Sequence, residues 1–159
     1  MLQRTLVLLK PDAVKRSVMG EIIHRFERCG LKLVGMKMVH IDVDFAKTHY
    51  SDHVEKAFYP NLEDYITSGP VLALAIEGAH AVDVVRKLVG PTEPLKAAPG
   101  TIRGDFAHHS AMSSDQKGKS VENLIHASGN LEDAKKEIEL WFGPYEMHTY
   151  TSVHEKHTF

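Results

Sequence analysis

Gly20-Glu21-Ile22-Ile23-His24-Arg25-Phe26-Glu27-Arg28-Cys29-Gly30-Leu31-Lys32-Leu33-Val34-Gly35-Met36-Lys37-Met38-Val39-His40-Ile41 (residues 20–41) changes its hydrophobic period midway, and that change decides the fold. Ile22, Ile23, Phe26 and Cys29 recur at helical spacing, and Gly30 stands where a helix stops in the left-handed conformation. From Leu31 to Ile41 the period drops to that of a strand, with Val34, Met36 and Met38 on one face, Lys37 on the other and Gly35 placed for a bulge. A helix running directly into a strand marks a chain of mixed α and β structure.

On the N-terminal side, Thr5 to Leu9 is an unbroken apolar run stopped by Lys10-Pro11-Asp12, which reads as a buried strand with a lysine at its exit. On the C-terminal side, Asp42 or Asp44 caps a short helix through Tyr50. Asn61 is the expected cap of a helix from Leu62 to Ser68, closed by Gly69-Pro70 before an apolar strand from Val71 to Ile76. Val82, Val85, Leu88 and Val89 form the buried stripe of a further helix ended by Gly90-Pro91. Residues 90–104 lack a period and read as an ordered loop, and the polar stretch 107–120 reads as an exposed, mobile insertion. Val121 to Ile125 is the last strand, Leu131 to Phe142 an amphipathic helix with Ala134, Ile138 and Trp141 inward, and 143–159 a tail. The order predicts a single α+β domain over 1–159, with helices on one face of an antiparallel sheet.

Composition narrows the function classes. With 43% hydrophobic and 25% charged residues the chain is of ordinary globular type. Nineteen basic residues against 21 acidic ones give no field for non-specific binding to nucleic acid or a membrane surface. The lone Cys29 excludes an internal disulfide, and the first apolar run is too short for a secretion signal, so a cytoplasmic location is expected.

The chemistry is concentrated in Asn123-Leu124-Ile125-His126-Ala127-Ser128-Gly129, with Arg103 upstream between two glycines in Gly100-Thr101-Ile102-Arg103-Gly104-Asp105. Small residues after His126 leave room for a bulky group to approach the imidazole. An imidazole is mostly neutral at cytoplasmic pH, so one ring nitrogen keeps a lone pair while the other donates a hydrogen bond. Glu137, on the next helix, is the candidate acceptor, fixing the tautomer and stabilising charge on the ring. Lys10, Arg86 and Arg103 fall at segment ends or in loops, where their charge-assisted bonds would hold a polyphosphate. Gly118-Lys119-Ser120 imitates the end of a P-loop, but Ser113 occupies the first glycine position and no strand precedes it. His49 and His53 have i, i+4 spacing, with His108, His109, His154 and His157 as further imidazoles, yet no cysteine or glutamate completes a zinc motif.

These blocks resemble the nucleoside diphosphate kinase family. The likeness runs from Arg4 to about Phe142 through Lys10-Pro11-Asp12, Gly20-Glu21-Ile22-Ile23, His49-Tyr50, Phe58-Tyr59-Pro60, Ser68-Gly69-Pro70-Val71, Pro99 to Phe106 and Asn123-Leu124-Ile125-His126. The resemblance implies a ferredoxin-like βαββαβ sandwich with an added helical hairpin and an active-site loop. It implies a ping-pong kinase in which His126 takes the γ-phosphoryl group of a nucleoside triphosphate and passes it to a nucleoside diphosphate. Lys10, Arg86, Thr92, Arg103 and Asn123 then bind phosphates and sugar, Phe58 and Leu62 hold the base, Tyr50 adjoins the transfer centre, and Ser128 with Glu137 supports the histidine. Mg2+ is expected on the nucleotide phosphates, with no metal held by the protein alone. The implied assembly is a homo-oligomer, a hexamer first, with a tetramer or dimer as alternatives. Ala127 and Gly129 depart from the pattern, the latter standing where an aspartate is usual.

Overall fold

The computed structural model describes residues 1–158 and is built on one four-stranded antiparallel sheet. The strands are β1 (Leu2–Leu9), β2 (Lys32–Val39), β3 (Val71–Ala79) and β4 (Ile125–Ala127), in the order β2-β3-β1-β4. Between β1 and β2 lie α1 (Pro11–Lys15) and α2 (Met19–Arg28), and between β2 and β3 lie α3 (Val43–His49) and α4 (Tyr59–Thr67). After β3 come α5 (Ala81–Val89), α6 (Ile102–Phe106) and α7 (Ala111–Asp115), and after β4 come α8 (Leu131–Trp141) and α9 (Glu155–Thr158). The four strands with α2 and α5 as crossovers give the expected βαββαβ order, and α3 with α4 form the added hairpin.

Helices cover both faces of the sheet, not one. Val7, Leu9, Leu72, Leu74 and Ile76 pack with Ile22 and Phe26 of α2, with Val85 of α5 and with Ile102 of α6. The alternate residues Leu6, Leu8, Val71, Ala73 and Ala75 pack with Ala46 of α3, with Tyr59, Leu62 and Ile66 of α4, and with Trp141 of α8. This is the physical meaning of the continuous apolar run in β1: a strand buried on both sides cannot alternate. The hairpin and α8 supply the second cover.

Several boundaries differ from the sequence expectation. β1 begins at Leu2, and Pro11 opens the one-turn α1, too short to show a period. Asn61 lies inside α4 instead of capping it, because Pro60 starts that helix at its first turn, where no backbone N–H is required. Asp42 is the α3 cap, accepting from Phe45 N at 2.8 Å. Gly35 does mark a bulge: the β2–β3 register shifts between Leu33 and Gly35, and a side chain at 35 would collide with Phe142 and Met147.

The 107–120 stretch is ordered by α7, whose Ser110 and Ser113 form a reciprocal capping box. The tail packs along β2, with His148 N donating to Val34 O at 2.7 Å and Tyr150 Oη to Leu33 O at 2.8 Å. Phe159 lies outside the described residues.

Candidate active site

His126 occupies the middle of β4, which starts four residues later than expected. The delay comes from Leu124, whose φ of +69° puts a buried non-glycine residue in the left-handed region. Such a turn persists only where its surroundings hold it. Here Leu124 N donates to Asp12 Oδ2 at 3.1 Å, and Lys10 N donates to Leu124 O at 2.8 Å. Arg103 closes the clamp, giving Nε to Asn123 O at 3.2 Å, Nη2 to Ile125 O at 2.5 Å and Nη1 to Gly90 O at 3.0 Å. Only 8% of Arg103 is exposed, and these bonds use three of the five guanidinium N–H groups. Its first task is therefore structural, which the sequence does not reveal.

The orientation of His126 follows from its neighbours. Its Nε2 meets Glu137 Oε1 at 2.9 Å, while Ser128 Oγ donates to Glu137 Oε2 at 2.5 Å and accepts from Leu6 N at 3.2 Å. Burial works to raise the Glu137 carboxyl, but the bonds from His126 and Ser128 outweigh it and hold the group below its ordinary range. A carboxylate on Nε2 makes that nitrogen the donor and leaves Nδ1 with the lone pair. Glu137 reaches this point because Asn130 caps α8, accepting from Asp133 N at 2.9 Å.

His126 lies on the wall of a cavity of about 650 Å³, together with Lys10, Tyr50, Phe58, Leu62, Arg86, Thr92, Arg103 and Asn123. The sequence-predicted residues thus converge, with Ser128 and Glu137 behind the histidine. Lys10 is buried, and its Nζ donates to Asn123 Oδ1 at 2.8 Å. Burial, aided by the charge of Arg103 and opposed by Asp12, pushes its ammonium down to about 7. Asn123 Nδ2 donates in turn to Thr92 O at 2.8 Å, tying the loop after α5 to the floor. Tyr50 is buried and sits edge-on to His126 at 6.2 Å between ring centroids, and burial raises its phenol. Phe58 is 51% exposed at the rim, whereas the adjacent Tyr59 is the buried aromatic of this turn.

Other contributors have no role assigned to them from the sequence. Asp12 joins Tyr65 to the Leu124 turn, accepting from Tyr65 Oη at 2.6 Å. Asp115 and Lys119 line the cavity from the segment read as a free excursion. Lys119 belongs to the Gly118-Lys119-Ser120 run that only imitates a P-loop, and nothing in the spacing of Asp115 distinguishes it from a solvated residue. At Gly129, an added Cβ would press on the Asp133 carboxylate, so α8 itself brings an acidic group beside the residue that departs from the usual aspartate. His49, His126 and Glu137 offer ligand-type atoms within 4.8 Å of one another, and none of the other histidines weighed as zinc ligands joins them among the described residues.

The comparisons agree with this geometry. The family profile "Nucleoside diphosphate kinase" matches residues 3–147. A nucleoside diphosphate kinase of Pyrococcus furiosus is 51% identical over 148 residues, spanning 93% of this chain and 88% of its own. The structure of the Borrelia burgdorferi nucleoside-diphosphate kinase, a transition state mimic with bound vanadate and ADP, superposes with a TM-score of 0.95 at 45% identity. That match covers 99% of this chain and 96% of the other. A halophilic relative from Halobacterium salinarum, in complex with CDP, gives a TM-score of 0.88 at 39% identity, covering 98% and 97% of the two chains. A family match over nearly the whole sheet, with the histidine, its carboxylate and the cationic cavity assembled on it, means that the chain belongs to the nucleoside diphosphate kinase family.

Proposed function

We propose that the protein transfers the terminal phosphoryl group of a nucleoside triphosphate to a nucleoside diphosphate through a phosphohistidine on His126, with little regard to the base. The observation that carries this reading is the Glu137 bond to His126 Nε2, which leaves Nδ1 as a nucleophile on the wall of a cation-lined cavity. The Nδ1 lone pair forms an N–P bond as the bond from the γ-phosphorus to the bridging oxygen breaks, and the diphosphate leaves with that electron pair. A terminal oxygen of the second diphosphate then attacks phosphorus, and the N–P electrons return to the imidazole. The transition state is loose, so catalysis is mainly positioning and charge stabilisation. Lys10, Arg86 and the two remaining N–H groups of Arg103 meet the phosphates, Thr92 and Asn123 meet phosphate and sugar, and Tyr50 adjoins the transfer centre. Ser128 and Glu137 keep the ring aligned and stabilise its positive charge.

Mg2+ enters as part of the substrate. Asp115 is the one acidic residue lining the cavity among the described residues, and Asp12 is engaged by Tyr65 and Leu124. That is no oxygen cage for magnesium, which a pair of phosphates holds instead. The direct test mixes ATP with GDP and a trace of protein: GTP and ADP should form in equal amounts, and release of inorganic phosphate in their place would overturn the reading.

Phe58 and Leu62 supply the base platform. Stacking is worth about 1–3 kcal/mol for any base. Phe58→Ala should therefore weaken binding of ADP, GDP and CDP by similar factors, roughly 5- to 150-fold. Calorimetric titration checks this, and loss confined to one base would contradict it.

Lys10 makes binding pH-dependent. Its ammonium is held down at about 7 in the free protein, and an incoming polyphosphate favours the charged form. Affinity for MgADP should thus fall as pH rises from about 7.5 to 10, with proton uptake visible as a buffer-dependent heat. Lys10→Met should abolish the uptake. For folding the sign is opposite: the unfolded chain binds the extra proton between about 7 and 10.5, so this group's share of stability rises with pH through that window.

We place the protein in the cytoplasm as one domain over 1–159. No described helix is long and apolar enough to cross a membrane. The homo-oligomer is expected to be a hexamer first and a tetramer or dimer otherwise; self-association, though not its order, is supported by Met36 and Met38, 59% and 53% exposed on the edge strand β2. Light scattering tests it.

A further inference from the structure

A second imidazole stands beside His126, and the reaction above does not use it. His49 ends α3, and Trp141 Nε1 donates to its Nδ1 at 3.1 Å. An indole nitrogen only donates, so Nδ1 is the unprotonated nitrogen and the ring proton sits on Nε2. His49 Nε2 is buried with no hydrogen-bond partner in the described structure. A polar group is left so placed only at a cost, which is the usual mark of a constrained or functional position.

The ring is packed edge-on against three others. Its centroid lies 4.8 Å from His126 at 80°, 4.5 Å from Tyr50 at 71°, and 5.5 Å from Trp141 at 89°. Burial, with the charges of His126, Lys10 and His53 and against that of Glu137, pushes the imidazole down to about 3. It stays neutral at every working pH. A metal is not the better occupant of the His49, His126 and Glu137 group: the carboxylate bonds both His126 and Ser128, and His49 Nδ1 is bonded by Trp141. An ion would have to break bonds already made.

We propose that His49 is a positioning residue for phosphoryl transfer: Trp141 fixes its tautomer and tilt, and its edge holds the His126 ring at the angle that keeps Nε2 on Glu137 and Nδ1 on the cavity side. The inference rests on His126 as the phosphoryl carrier. Position 49 needs an uncharged side chain that accepts from Trp141 Nε1, and a ring on that anchor fills the gap beside His126 best. A cation there would oppose the positive charge that develops on His126, and a carboxylate would compete for its N–H.

The experiment measures single-turnover phosphorylation of His126 by ATP, together with MgADP affinity and thermal stability. His49→Phe keeps a ring but loses the anchor to Trp141, and Trp141→Phe removes the donor while leaving His49 in place. Each should slow phosphorylation roughly 10- to 100-fold, the scale of a small misalignment, with MgADP affinity within about twofold of the parent. The double variant should be no slower than the worse single one, because both break the same link. His49→Asn, which puts an amide oxygen near the Nδ1 position, should fold normally and recover part of the rate. Additive losses, or changes in stability and affinity with an unchanged phosphorylation rate, would overturn the proposal. If the parent itself forms no phosphohistidine, the functional reading has failed; if it does and His49→Phe matches it, only the role of His49 has.

Discussion

His126→Ala is expected to lower turnover roughly 10⁴-fold or more, the scale on which loss of a nucleophile acts. MgADP affinity should stay within a few-fold of the parent protein. The asymmetry follows from the site's construction. Among the described residues the imidazole makes one hydrogen bond, through Nε2 to Glu137 Oε1, and Ser128 Oγ still satisfies the other carboxylate oxygen when the ring is gone. Lys10, Asn123 and Arg103 are held by their own bonds to the turn and loops, so the phosphate-binding wall survives. Steady-state kinetics with ATP and a second diphosphate, alongside calorimetry, check both halves. Near-parental turnover in this variant would mean that phosphate passes directly between nucleotides or through another residue.

Gly104→Ala is expected to cost about 3 kcal/mol of stability, the upper part of the range for overpacking. The added Cβ would overlap the carbonyl of Ala98, a backbone group that moves only if the chain after the Pro94–Lys96 turn moves with it. Gly104 is next to Arg103 on α6, so the shift would also disturb the guanidinium clamp on the Leu124 turn. Activity should therefore fall further than the fraction unfolded explains. In a thermal melt the midpoint should drop by roughly 5–10 °C. Gly20→Ala, where no atom lies within 4 Å of the added carbon, is the control and should leave the midpoint unchanged or slightly raised.

The sheet was legible because its strands carry unmistakable patterns. Thr5 to Leu9 and Val71 to Ile76 are unbroken apolar runs, and both are buried on their two faces. The second helical layer was not, because an apolar run announces burial without saying what covers it. α1 and α7 are single turns, too short for any period, although the Ser110–Ser113 box that orders α7 is local enough to be found in sequence. The start of β4 was misplaced because Leu124 is an ordinary strand-former forced into a turn by distant partners, Asp12 and Arg103.

The same distinction applies to the site. His126, Glu137 and Ser128 are close in sequence, and their relation follows from one short strand feeding one capped helix. Lys10 and Arg103 were visible as charges at segment ends, but neither the carbonyls that occupy Arg103 nor the burial that lowers Lys10 has a sequence signal. His49 shows the limit most clearly. Its i, i+4 spacing with His53 raises a zinc motif that no cysteine or glutamate completes, and its role at Tyr50's side is invisible because its partner, Trp141, lies ninety-two residues away.

The central claim is that phosphate resides on His126 between two nucleotides. Brief incubation with γ-labelled ATP, followed by digestion and mass spectrometry, should find acid-labile, base-stable phosphate on the peptide containing His126. Unlabelled GDP should remove it at a rate at least equal to turnover. Label on another residue, or label on His126 that GDP does not discharge, would contradict the account.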